Sequence, residues 1–104
     1  MDNMEDILLG IISNVGTTRS YYIEAIYEVK DGNFEKYDEC MAAGEKAFTE
    51  GHHFHSELIC KEASGEKMGN SLLLVHAEDQ LMSAEAFQVL AEEFADMYKK
   101  IYNL

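Results

Sequence analysis

Turn-forming residues gather at only two interior places in this chain, Asp31-Gly32-Asn33 and the run from Ser64 to Ser71, and proline is absent. The stretches between those breaks are too long for strands, which usually run four to eight residues, and their apolar residues recur with a helical period. The spacing predicts three long helices. The first runs from about Asn3 to Lys30, capped by Asp2 or Asn3, with Glu5 and Asp6 in the first turn, where acids suit the helix dipole. Gly10 and Gly16 weaken it by about 1 kcal/mol each relative to alanine, so a kink near Gly16 or a close helix contact is expected. The second runs from about Phe34 to Ala63 with Asn33 as cap. The third starts after Asn70 or Ser71 and continues towards the C-terminus.

Helices of that length do not hold in water alone and must pack lengthwise, and short connections make neighbours antiparallel. The expected fold is all-α: an up-down-up antiparallel three-helix bundle occupying residues 1–104 as one domain. A short buried strand over Leu72–Val75 is the losing alternative, because the flanks are rich in Ala and Glu.

Charge narrows the partners. Twenty acidic against eight basic residues give a net charge of −12, so nucleic acid is excluded as a ligand, since neutralising a polyanion needs clustered Lys and Arg. A basic protein surface suits this chain better. No apolar run approaches the roughly 18 residues of a membrane span, and the acidic start is the wrong sign for a signal peptide, so the expected location is the cytoplasm, with no membrane insertion. Cys40 and Cys60 fall in one helix, about 30 Å apart at 1.5 Å per residue, and are read as reduced thiols.

The stretch SLLLVHAEDQLM, Ser71 to Met82, carries the candidate chemistry. At about 100° per residue, Leu72, Phe87, Leu90, Phe94 and Ile101 lie on one side of the third helix and Glu78, Glu85, Glu92, Asp96 and Lys99 lie opposite. His76 falls near the middle of that apolar side. Leu74, Val75, Leu81 and Met82 spread apolar surface in directions that a three-helix bundle would leave wet, which calls for a second copy of the chain to cover them. Asp79 lies one turn on from His76, and a carboxylate buried there needs a metal, a cation or a hydrogen-bond donor.

In that stretch the chain resembles the IIA component of the lactose/cellobiose class of the bacterial phosphoenolpyruvate-dependent sugar phosphotransferase system (PTS), where the motif usually reads SLLLVHAQDHLM. Gly16-Thr17-Thr18-Arg19-Ser20 with Glu24-Ala25 is similar to the family's G-x-A-R-S and E-A-L. Asp31 to Glu35 resembles its G-D-F-E turn, and His52 to Ala63 resembles AHxxQTxLIxxEA. The resemblance implies a homotrimer of three-helix bundles that accepts a phosphoryl group on His76 from the phosphocarrier HPr. It then passes the group to a cysteine of the IIB component for disaccharide uptake. It also implies that Asp79 from three chains holds a divalent metal, usually magnesium, on the threefold axis.

Three positions depart from the family pattern. Glu78 stands for a glutamine, about 160° round the helix from His76. Gln80 stands for a frequent histidine, about 40° from His76. His55 stands for a frequent glutamine on the second helix. Gln80 and His55 are read as possible supporting residues, a partial exchange of donors across the site. His52 and His55 share a helix face, but without a third ligand they make a weak transition-metal site. The alternative function is a non-catalytic trimeric scaffold or regulatory protein of the same ancestry. The transported sugar is not legible, because specificity in such systems resides mainly in the membrane component.

Overall fold

The computed structural model describes residues 3–104. Three helices follow one another, α1 (Met4–Lys30), α2 (Phe34–Ala63) and α3 (Leu72–Ile101), in a rod 54 × 21 × 19 Å. Each begins at a side-chain cap. Asn3 accepts a hydrogen bond from the Asp6 amide at 2.9 Å, Asn33 from that of Lys36 at 3.2 Å and Ser71 from that of Leu74 at 3.0 Å. These match the expected starts, and the alternative cap Asp2 lies outside the described residues. The α1–α2 turn is closed from the far end of the chain, where the Tyr102 hydroxyl donates to the Lys30 carbonyl oxygen at 2.7 Å and the ring stands edge-on to Phe34.

α1 is the central element, packing on both other helices, while α2 and α3 touch little. Its buried residues are Ile7 and then Leu8, Ile11, Val15, Thr18, Tyr22, Ala25 and Val29, which from Leu8 onward recur at steps of three and four, the periodicity of helices aligned nearly side by side. Along α2 the buried positions, Tyr37, Gly44, Gly51 and Leu58, recur every seven residues. Two of those four are glycines, so α1 and α2 interlock by size. A β-carbon at Gly44 would lie 2.6 Å from a ring carbon of Tyr22, and one at Gly51 would lie 2.7 Å from a methyl of Val15. Gly10 of α1 receives the Phe54 ring of α2 in the same way. Close packing therefore accounts for Gly10, and α1 runs through Gly16 as continuous helix.

This interlock gives a paired expectation. Gly44→Ala forces the fully buried Tyr22 ring to move and is expected to cost about 1–3 kcal/mol through overpacking, more than the helix propensity it gains. The added methyl of Gly16→Ala meets nothing within 4 Å, so propensity alone should stabilise that variant by up to about 1 kcal/mol. Thermal unfolding followed by circular dichroism should move the two midpoints in opposite directions. Tyr22 is held in its neutral form, its hydroxyl pKa raised first by burial and then by the carboxylates of Glu45 and Glu92.

α3 departs from the helical wheel drawn on the sequence. Its buried stripe is Ala77, Leu81, Ala84, Ala91 and Ala95, and it lies on α1 through small side chains. The larger apolar residues Leu72, Leu90 and Ile101, expected on the core side, are exposed, and Leu81, expected outside, is buried. The reason is steric. Alanines let α3 approach the bulky side of α1 closely, and a wheel weighted by side-chain hydrophobicity undercounts them.

Candidate functional site

His76 is exposed, one residue before the fully buried Ala77. The helix period fixes this arrangement, because with Ala77, Leu81 and Ala84 turned to α1, residue 76 lies on a flank about 100° round. The wheel places His76 near the middle of the apolar side of the third helix, and in the structure that side is not the core, so the imidazole lies on the surface, reachable from outside. Asp79 is also exposed, while Gln80 is half-buried.

The surface around His76 is apolar and uncovered. Leu72 is 84% exposed, Val75 59% and Met82 67%. With Asp79, Ala86, Val89 and Glu93, also exposed, these residues form a row whose steps alternate three and four, the seam pattern of a coiled coil. His76 lies immediately beside that row. A single chain leaves a long apolar seam in water from Leu72 to Val89, interrupted within that stretch by the carboxylate of Asp79 and ended by Glu93.

His55 does not pair with Gln80. Its Nε2–H donates to the Glu78 Oε1 at 2.7 Å, joining α2 to the early turns of α3. The two departures from the family pattern at positions 55 and 78 are thus each other's partner, on the side of α3 away from His76. A wheel of the third helix alone does not contain this contact, because it relates Glu78 to His76 and not to α2. The joint replacement of two glutamines, one on each helix, was the available signal. Beside the pair lies a cavity of about 460 Å³, bounded among others by Leu58, Ile59, Met68 and Leu74.

Arg19 stacks its guanidinium 5.0 Å over the Phe87 ring. Phe87 is eleven residues beyond His76, about 16 Å along the axis, so within one chain Arg19 braces the middle of the rod. The His52 and His55 rings lie 6.3 Å apart, and among the described residues no group of three or more His, Cys, Asp or Glu is disposed to hold a metal. Cys40 and Cys60 are both free, on α2, and burial pushes the Cys40 thiol pKa up, with neighbouring acids adding to it. No helix among the described residues is long and apolar enough to cross a membrane.

Comparison with known proteins agrees with the motifs. The family model described as "PTS system, Lactose/Cellobiose specific IIA subunit" matches residues 6–99. The chain is 38% identical to the lichenan-specific phosphotransferase enzyme IIA component of Bacillus subtilis, over 96% of this chain and 91% of that protein. It is 32% identical to the N,N'-diacetylchitobiose-specific EIIA component of Escherichia coli, over 96% and 86% respectively. The crystal structure of the PTS cellobiose-specific enzyme IIA from Bacillus anthracis superposes with a TM-score of 0.93 at 44% identity, covering 99% of this chain and 94% of that one.

Proposed function

We propose that this chain, which belongs to the PTS lactose/cellobiose-specific IIA subunit family, carries the phosphoryl group on His76 between phospho-HPr and a cysteine of the IIB component. The observation that carries the reading is the exposed imidazole of His76, set within the family-matched segment and rimmed by apolar residues. The chemistry asks little of the site. A neutral imidazole nitrogen attacks phosphorus in line, the donor imidazole of HPr departs, and the phosphoryl group changes carrier without a strong base. The IIB thiolate then attacks the same phosphorus and His76 leaves as the neutral ring. Between the two steps the apolar rim limits water at the phosphohistidine.

The uncovered seam supports assembly as a homotrimer, three parallel α3 helices meeting along Leu72, Val75, Asp79, Met82, Ala86 and Val89. His76, beside the seam, then lies at a subunit boundary. Asp79 from each chain meets its equivalents at one level, and carboxylate oxygens are the donors magnesium prefers, so the residue fits a shared divalent ion. That ion would neutralise three converging charges. The phosphoryl group does not pass through it. The chain works in the cytoplasm, where its net charge of −12 suits docking to basic faces of HPr and IIB.

Three of the relatives are named for lichenan, N,N'-diacetylchitobiose and cellobiose, and the pathway proposed is uptake of a β-linked disaccharide such as cellobiose, chitobiose or lactose. Incubation with phosphoenolpyruvate, the general PTS enzyme and HPr should add one acid-labile phosphoryl group per chain, removed again when IIB is supplied. A chain that takes no label while HPr is fully phosphorylated would instead be a scaffold.

A further inference from the structure

We propose that the His55–Glu78 pair is a positioning device for His76, a polar strut that fixes how the first turns of α3 lie and hence where the reactive imidazole is presented. The inference rests on the phosphocarrier reading of His76.

Three observations carry it. First, α2 and α3 make few contacts, so the start of α3 has little support from α2. Between them at this end lies the cavity of about 460 Å³ bounded by Leu58, Ile59, Met68 and Leu74. Leu58 is buried in the core there, but Met68 and Leu74 beside the cavity are only partly buried, so apolar packing fills this flank in part. Second, the segment leading into α3 is lightly anchored, with Met68 its one residue packed on the core cluster. Gly65 and Gly69 have positive φ values of 101° and 73°, and a β-carbon at either would meet nothing within 4 Å. Third, the 2.7 Å bond between His55 and Glu78 spans this loosely packed region, and it is the only side-chain hydrogen bond or ion pair joining α2 to α3 among the described residues. The His55 side chain is 15% exposed, so it is held on α2, while that of Glu78 is 44% exposed at the cavity mouth.

The leverage follows from helix geometry. Glu78 lies two residues after His76, nearly opposite it on the helix surface, so tilting or rotating the first turns about the Ala77–Leu81 contact with α1 moves both side chains together. A strut on one side therefore limits the swing of the imidazole on the other. Phosphoryl transfer depends on in-line approach, and a displacement of about 1 Å can cost up to a hundredfold in rate. The negative charge of Glu78 does not need to reach the phosphoryl group for this role.

The test measures the rate of phosphoryl transfer from phospho-HPr for the whole protein and for His55→Ala, Glu78→Ala, the double variant and Glu78→Gln, whose amide oxygen still accepts from His55. Each alanine variant is expected to slow the maximal rate about tenfold with little change in the half-saturating HPr concentration, and the double variant should be no slower than either single one. Glu78→Gln should recover most of the rate. Amide hydrogen exchange, which needs no phosphotransfer, should show faster exchange in α3 around residues 75–79 in the alanine variants. Unchanged rates in both alanine variants, additive losses, or faster transfer in Glu78→Ala alone would overturn the strut, the last because it marks Glu78 as a repelling charge. If the unsubstituted protein takes no phosphoryl group, the carrier reading fails. The exchange result then still decides whether the pair orders α3.

Discussion

His76→Ala is expected to abolish phosphoryl acceptance, leaving no acid-labile label after incubation with phosphoenolpyruvate, the general PTS enzyme and HPr. The fold should survive, because His76 is exposed and makes no hydrogen bond to other parts of the chain among the described residues. Alanine is also the best helix former, so helix content and melting midpoint should change little. That separation makes the variant decisive, since a lost signal cannot then be blamed on unfolding. Gln80 is half-buried near the same flank of α3, and Gln80→Ala is a milder companion: it should slow phosphorylation if the amide supports the ring, whereas an unaffected rate removes that role. Label persisting on His76→Ala would move the carrier to another side chain, the obvious rivals being His52, His53 and His55 on α2.

The helices were legible because the chain marks their ends chemically. Asn33 and Ser71 stand just ahead of periodic segments, and the structure uses both side chains as caps. The faces of α3 were less legible. Leu72, Leu90 and Ile101 outrank alanine on any hydropathy scale, yet Ala77, Ala84, Ala91 and Ala95 make the contact with α1 because α1 already supplies the bulk. Which partner needs a small residue is a property of the pair of helices, and one helical wheel does not contain it. The same holds for Gly44 and Gly51, whose seven-residue spacing is visible in the sequence but whose meaning depends on Tyr22 and Val15. The motif around His76 was legible as a resemblance. The link between His55 and Glu78 required two helices to be seen together.

Asp79→Lys is expected to dissociate the trimer, moving its sedimentation from about three times 11.8 kDa to a single chain of 11.8 kDa. The exposed row from Leu72 to Val89 is apolar or small except at Asp79, so in a parallel three-helix seam the three Asp79 carboxylates converge with apolar layers above and below. Converging like charges cost several kcal/mol unless a cation offsets them. Lysine inverts the sign of the site, so the same divalent ion would add to the repulsion. Removing the metal from the unsubstituted protein with a chelator should weaken association in the same direction, though less, because the carboxylates can still take up protons or solvent cations. Asp79→Leu supplies the opposite control. It extends the apolar row, and replacing a buried charged group by a packed hydrophobic one is often neutral or stabilising by about 1–4 kcal/mol, so this variant should remain trimeric and lose its response to chelator. A trimer that sediments unchanged in Asp79→Lys without metal would remove Asp79 from the axis. Asp79→Leu should also separate assembly from chemistry: if the metal only neutralises the seam, this variant still accepts phosphate on His76 at a rate close to that of the unsubstituted protein.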